Sequence, residues 1–347
     1  MRERIDADRR VRTIADLAQL AGVSPGTVSR ALAGKTLVND ETRRRIQALA
    51  DEHGFRPNQM ASRLRTRRTG VIGIVVPLGH ERRQHLSDPF FMTMLGHLAD
   101  ALTENGYDVM LSRVIPDAGD WLDRVVDSGM VDGVLLIGQS NQYDAIERVA
   151  RRYRPLVAWG VTLPGQVHAA IGTDNLAGGR LAGERLIARG CRRIGFLGDI
   201  RAPEIRLRHD GVAAAMAAAG LSEGPVQQPV HLASDVMEQE IAGHIDRLVG
   251  QGDGAATIDG IVAASDMIAM TAMRVLADRA IMVPDAMPVV GYDDLPLAAQ
   301  AVPRITTIRQ DIATGARAMV DALFARIAGG EAGSVVLEPE LVARDSA

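Results

Sequence analysis

The 347 residues include a single cysteine, Cys191, so no internal disulfide can form. No stretch approaches the roughly 18 consecutive apolar residues of a membrane span. The first twelve residues are charged throughout and do not resemble a secretory leader, so a cytoplasmic protein is expected. Signatures of catalysis are missing too. No strand-to-helix turn carries Gly-x-Gly-x-x-Gly; the nearest cluster, Gly178-Gly179-Arg180-Leu181-Ala182-Gly183, falls inside an expected helix, and there is no P-loop. His80-Glu81 precedes His85, but the second histidine is five positions on instead of four, so the two rings would point apart and no zinc helix is expected. Gly138-Gln139-Ser140-Asn141 approaches a nucleophile elbow and lacks its closing glycine. These absences favour a binding protein over an enzyme, with no cofactor and no metal.

The net charge of −4 is unevenly distributed. Residues 1–70 hold 15 Lys+Arg against 8 Asp+Glu, and the remainder holds 24 against 35. That split places affinity for nucleic acid at the N-terminus and repels it from the rest, although arginine-rich faces are often merely solvated. Local pattern decides between the two readings. Ile14, Leu17, Ala18 and Ala21 recur at helical spacing and stop at Gly22, which tolerates a left-handed turn. Ser24 stands at an N-cap position and Pro25 at the first helical position, with Val28, Ala31 and Leu32 facing back toward the first helix. This is a helix-turn-helix by pattern. Its second helix presents Pro25, Gly26, Thr27, Ser29 and Arg30 toward solvent, short polar groups and one forked donor suited to a major groove. A third helix is expected over 40–53, with Ile46, Leu49 and Ala50 apolar and Arg43, Arg44 and Arg45 on the other side. Residues 58–68 are basic and have too few apolar residues to hold a helix unaided.

From Val71 the pattern alternates. Residues 71–76 form a β-branched run of the kind buried in parallel sheets, closed by Pro77. Helices are expected over 90–105, 121–128 and 143–152, with strands over 107–112, 133–137 and 156–159. A second set begins near Ile171, with helices over 175–189, 208–219, 236–250, 266–279 and 311–328. Its strands are expected over 193–197, 227–231, 260–263, 289–292 and 335–338. Two doubly wound units imply a cleft between two similar subdomains, with ligand contacts on loops at the carboxyl ends of strands. Apart from the alanine-rich 213–219, no repeat or low-complexity segment is evident.

Specific residues carry a resemblance. Thr13-Ile14-Ala15-Asp16-Leu17-Ala18, Val23-Ser24, Thr27-Val28-Ser29-Arg30-Ala31-Leu32, Glu41-Thr42-Arg43, Gly54-Phe55-Arg56-Pro57-Asn58 and Ala61 with Leu64 together resemble the bacterial lactose/galactose-repressor (LacI/GalR) transcription factors. The resemblance implies an all-α helix-turn-helix head joined through a hinge helix to an α/β core like a type I periplasmic binding protein. On that plan 1–12 is a disordered lead-in, 13–57 the DNA-binding domain, 58–70 hinge and linker, and 71–347 the ligand-binding core. Crossings near Gly172, Pro303 and Gly329 would give an N-subdomain of 71–171 and 303–329 and a C-subdomain of 172–302 and 330–347. DNA contacts are implied for Thr13, Ser24, Pro25, Gly26, Thr27, Ser29, Arg30, Asn58, Ala61, Leu64 and Arg65, with Leu64 wedged into the minor groove to bend the duplex. The chain departs from the family where Ser62, not arginine, follows Ala61. Pro25-Gly26 also has little hydrogen-bonding capacity, which shifts base discrimination to Thr27, Arg30 and Leu64.

Ligand contacts are implied as well. Asp88 could accept hydroxyls or cap its helix, and Phe90 or Phe91 could pack on a ring or in the core. Trp159 ends a strand at the pocket border, where an indole suits a pyranose face but could equally be buried. Arg208 matches the family's ligand-reaching arginine, with Arg206 as rival. In Ser265-Asp266 one residue caps a helix and Asp266 is the ligand candidate. Asp293, in Gly291-Tyr292-Asp293-Asp294, is the implied ligand acceptor, and Gln310 follows Thr306-Thr307-Ile308-Arg309 at a crossover. The expected function is a repressor of carbohydrate uptake or catabolism genes, binding a palindromic operator as a homodimer and released by a sugar. The alternatives are a corepressor-dependent regulator sensing a purine or sugar phosphate, and an α/β enzyme with a DNA-binding head. No trailing leucine heptads suggest a tetramer.

Overall fold

The computed structural model describes residues 11, 13–32, 38–55, 68–78, 85–116, 119–227, 236–249 and 258–347, in two units, 1–69 and 70–347. Within the first, α1 (Ile14–Ala21) opens on a reciprocal cap. The Asp16 amide donates to Thr13 Oγ1 (3.1 Å) and the Thr13 amide to Asp16 Oδ2 (3.0 Å). Gly22 ends it at φ 63°, a conformation that costs a residue with a Cβ. Ser24 Oγ accepts from the Thr27 amide at 3.1 Å and opens α2 (Pro25–Leu32). Asn39 caps α3 (Asp40–Glu52) through the Thr42 amide. Leu17, Val28, Ala31 and Ile46 are fully buried among the three helices, and each large apolar side chain so buried contributes about 1.5–3 kcal/mol. Arg45 donates to the carbonyl of Ala21 at 2.8 Å, tying α3 to the end of α1. Val11 also packs into this core, so the lead-in expected over 1–12 reaches into the folded head; the rest of it lies outside the described residues.

The second unit holds two six-stranded sheets. The strands are β1 (Val71–Pro77), β2 (Asp108–Val114), β3 (Gly133–Ile137), β4 (Leu156–Trp159), β5 (Ala169–Thr173), β6 (Ile194–Leu197), β7 (Val226–Gln227), β8 (Gly260–Ala263), β9 (Val289–Asp293), β10 (Thr306–Arg309), β11 (Val335–Leu337) and β12 (Glu340–Val342). One sheet runs β11-β5-β4-β3-β1-β2, all parallel; the other runs β12-β10-β9-β8-β6-β7, parallel except for β12 against β10. The β1–β3 register sets Ile72 against Gly133 and Ile74 against Leu135. Strands β3 and β4 are buried along their whole length, as sheets covered on both faces require. The helices are α4 (Pro89–Glu104), α5 (Trp121–Val126), α6 (Tyr143–Ala150), α7 (Asn175–Ala188), α8 (Pro203–Ala218), α9 (Met237–Val249), α10 (Asp266–Asp278) and α11 (Ile312–Ile327), with a 3₁₀ turn at Pro296–Ala299.

The first subdomain crossing falls close to the expected Gly172, and the other two differ from expectation. β5 belongs to the first sheet, so the chain crosses after Thr173. It crosses back between Arg309 and Ile312, because β10 belongs to the second sheet while α11 packs on the first, where a Cβ on Gly133 would lie 3.0 Å from Leu323. The final crossing falls between Leu337 and Glu340, since β11 pairs with β5 and β12 with β10. Pro303 lies in the loop ahead of β10 and Gly329, at φ 85°, follows the end of α11; both punctuate elements and not subdomains. The helix expected over 208–219 starts earlier, with Pro203 at its first position.

Candidate functional site

The cleft is built at the carboxyl ends of the strands. Pro77 ends β1 and Leu78 follows it, Ile137, Gly138 and Ser140 end or follow β3, and Trp159 ends β4. Asp88, Phe90 and Phe91 open α4, while Ala202, Glu204, Ile205 and Arg208 come from the start of α8. Ser265, Asp293 and Gln310 complete the lining. The space they enclose, counted out to the open mouth, is about 750 Å³. Seven of the eight expected ligand residues, Asp88, Phe90, Phe91, Trp159, Arg208, Asp293 and Gln310, therefore face one cavity.

On one wall, Asp88 Oδ1 accepts from the Phe90 amide at 2.8 Å and caps α4, while the residue itself is 5% exposed. Capping and lining are done by the same carboxylate. Phe90 stands 6.0 Å from Phe91 and 6.3 Å from Trp159, ring centre to ring centre, so the three rings form a continuous apolar wall. Trp159 is buried in the first subdomain's core and lines the cleft as well, which unites the two readings of that residue.

On the opposite wall, Arg208 is held on three sides. Its Nε donates to Asn175 Oδ1 (2.8 Å), one terminal nitrogen donates to the Ala264 carbonyl (2.6 Å), and its guanidinium lies 3.7 Å over the Tyr292 ring. The same terminal nitrogen is 3.8 Å from Asp293 Oδ1. Arg206, the rival, is exposed. Asp293 accepts from Gln310 Nε2 at 2.6 Å and from the Asp266 amide. Its residue has φ 113°, a rare conformation for a side-chain-bearing residue, which turns the carboxylate into the cleft. Burial raises its carboxyl above the usual range, offset in part by Arg208. Burial likewise pushes the Tyr292 hydroxyl up to about 12.

Asp266 requires correction. It is fully buried and turned away from the cleft: Oδ2 accepts from the Leu295 amide (2.8 Å) and Oδ1 from the Thr307 hydroxyl (2.6 Å). Leu295 in turn packs into the first subdomain's core, so Asp266 pins the seam between subdomains. Burial and the neighbouring Asp293 raise its carboxyl well above the normal range. Ser265 caps α10 through the Ile268 amide (3.2 Å) and is the member of the pair that reaches the cleft.

Sequence reasoning missed Glu204 and passed over the purpose of the glycine cluster. A Cβ on Gly179 would fall 1.9 Å from the Arg208 carbonyl oxygen, and one on Gly178 would fall 2.2 Å from Tyr292 Oη. Those glycines let α7 press against α8 and seat the arginine. The signal was present as three small residues on one helix, without any local indication of what approached them.

In the head, Pro25, Ser24 and Arg30 are exposed, while Gly26, Thr27 and Ser29 are partly so. Ser24 Oγ and Thr27 Oγ1 are 2.9 Å apart and share a hydrogen bond, and Thr13 is engaged in its capping box. Gly26 leaves room for Arg30, whose guanidinium would lie 3.4 Å from an added Cβ. Asn58, Ala61, Leu64 and Arg65 lie outside the described residues, as do His80 and Glu81.

Residues 13–58 match the family of bacterial regulatory proteins, lacI family, and residues 184–347 match a periplasmic binding protein-like domain. The chain is 33% identical to the HTH-type transcriptional regulator CelR of Thermobifida fusca, over 97% of this chain and 99% of that one. A solved transcriptional regulator CelR–cellobiose complex superposes with a TM-score of 0.67 at 29% identity, covering 97% of this chain and all of that one. The Lac repressor dimer bound to operator and the anti-inducer ONPF shares the fold, with a TM-score of 0.81 at 23% identity over 96% and 98% of the two chains.

Proposed function

The chain belongs to the lacI family of bacterial regulatory proteins, and on that footing we propose that it represses carbohydrate uptake or catabolism genes and is released from its operator by a sugar. The observation that carries the sugar reading is the cleft itself. A wall of Phe90, Phe91 and Trp159 faces Arg208, Asp293 and Gln310 across one cavity, as a pyranose with an apolar face and a hydroxyl rim demands. One solved relative that covers nearly the whole chain holds cellobiose, which supports a saccharide of similar chemistry here.

Two heads on one dimer would meet the two halves of a palindromic operator, with Pro25 to Arg30 in the major groove and Leu64 in the minor groove. The protein would work in the cytoplasm, where operator DNA is, and no helix among the described residues is long and apolar enough to cross a membrane. Release follows only when the sugar binds the DNA-free arrangement more tightly than the DNA-bound one. The subdomain seam at Leu295, next to the ligand-facing Asp293, is where that difference would be felt.

The test is fluorescence anisotropy on DNA from the protein's own promoter region at fixed salt, titrated with mono- and disaccharides, sugar phosphates and purines. Release by a neutral sugar supports the proposal. Tightening by a purine or sugar phosphate establishes the corepressor alternative, and consumption of the added compound establishes an enzyme.

A further inference from the structure

Glu204 stands in the first turn of α8, in the second subdomain, yet its carboxyl group sits against the first. A Cβ added to Gly160 would lie 2.9 Å from Glu204 Oε1 and 2.9 Å from Gln139 Nε2. The carboxyl therefore reaches the backbone just past Trp159, in space that exists because residue 160 has no side chain. Gln139 does not bond it; that amide donates to the Val161 carbonyl at 2.8 Å. Among the described residues the carboxyl receives only the backbone N–H of Glu204 itself; the residue is half-buried, and burial raises its carboxyl while that N–H and Arg208 favour the ionised form.

The charges around the cavity are lopsided. Asp88, Glu204 and Asp293 set three carboxyls against one guanidinium in the lining. Asp88 is occupied as a helix cap and Asp293 by Gln310 and its neighbours, while Arg208 is committed to Asn175, the Ala264 carbonyl and Tyr292. Glu204 has lone pairs to offer and no cation bonded to it. A saccharide hydroxyl can donate to the ionised carboxyl or accept from the protonated one. A phosphate brings further negative charge to a lining whose single guanidinium, Arg208, is already bonded to Asn175 and the Ala264 carbonyl, and the ionised Glu204 carboxylate opposes that charge.

We propose that Glu204 sets the charge selectivity of the cleft, admitting a neutral, hydroxyl-rich saccharide and rejecting its phosphorylated counterpart. This deepens the carbohydrate reading and rests on it. Discrimination of this kind arises from a repulsive element as much as from an attractive one.

The experiment is titration calorimetry of the full-length protein and of Glu204→Gln with matched pairs: cellobiose, sucrose, glucose and ribose, each beside its terminal phosphate ester. In the wild type at least one neutral sugar should bind, with its phosphate weaker by about a hundredfold or more. In Glu204→Gln that gap should narrow by about tenfold or more, with the ligand-free melting temperature unchanged. Glu204→Ser, which keeps a hydroxyl without the charge, should narrow it too and serves if the glutamine variant does not fold. A phosphate that binds the wild type as tightly as its parent sugar, or a gap that neither variant changes, overturns the charge-selectivity assignment and leaves the carbohydrate reading standing. If no saccharide of either kind binds, the carbohydrate reading falls, and this assignment with it.

Discussion

The rim of the Trp159 indole packs against Gly315, so closely that a Cβ at position 315 would stand 2.2 Å from Cζ3. The glycine belongs to α11 and the tryptophan ends β4, so the helix that returns from the second sheet fixes the aromatic floor of the cleft. Gly315→Ala is expected to push the indole toward the cavity at a cost of about 1–3 kcal/mol, the usual penalty for overfilling a packed site. Thermal unfolding would register the loss. The chain has two tryptophans, so a Trp121→Phe background lets emission from Trp159 report its displacement. Saccharide affinity should fall in step, and an unchanged emission spectrum and affinity would remove Trp159 from the floor.

Arg208 serves structure and ligand together. Arg208→Ala strands Asn175, the Ala264 carbonyl and the nearby Asp293 in a buried site, and a loss of about 2–5 kcal/mol is expected. Operator binding by the folded fraction should persist, but sugar should no longer release it. Anisotropy with and without the inducing saccharide separates these effects.

Asp266 gives the core a pH dependence with a definite sign. Its folded carboxyl titrates above the unfolded one because of burial and Asp293, so the native state holds more protons across the window between the two values. Stability therefore decreases as pH rises through that window and recovers as pH falls within it. Asp266→Asn keeps an oxygen for the Leu295 amide and offers an amide hydrogen to Thr307, imitating the protonated form. The variant should flatten the dependence and melt no lower than the wild type at pH 8, as calorimetric scans from pH 5 to 8 would record.

Arg30 is the one long donor on the exposed side of the recognition helix. Arg30→Ala should weaken operator binding by about 1–3 kcal/mol and relax specificity at one base pair of each half-site. Gly26→Ala adds a methyl at ordinary contact distance from the Arg30 guanidinium, 3.4 Å, and should shift preference only slightly. Binding to operators mutated at one position at a time distinguishes the two.

On the proposed reading of Leu64 as a minor-groove wedge, Leu64→Ala should keep saccharide binding and weaken specific operator binding while sparing nonspecific DNA, since an apolar wedge acts by bending the site. Equal operator affinity in the variant would remove the wedge from the mechanism.

The sequence by itself determined the head and most of the alternation behind it. Thr13 with Asp16, Gly22, Ser24 and Asn39 start or stop helices through contacts spanning at most five residues, and a run such as 71–76 signals a buried strand from its own side chains. Such signals are complete within a few residues of chain. Tertiary structure alone decided the rest. The short strand β10 and the exposed edge strand β11 take their sheets from partners more than a hundred residues away or from strands late in the chain, so nothing local marks where the chain changes subdomain. Ser265 and Asp266 open one helix side by side, and only Thr307 and the Leu295 amide turn the aspartate inward while its neighbour faces the cleft. Glu204 reads locally as an acidic residue in a first helical turn; it becomes a cleft residue because Gly160, on the other subdomain, leaves space for its carboxyl. A side chain's environment is set by whichever distant element packs against it, and that is a property of the assembled fold.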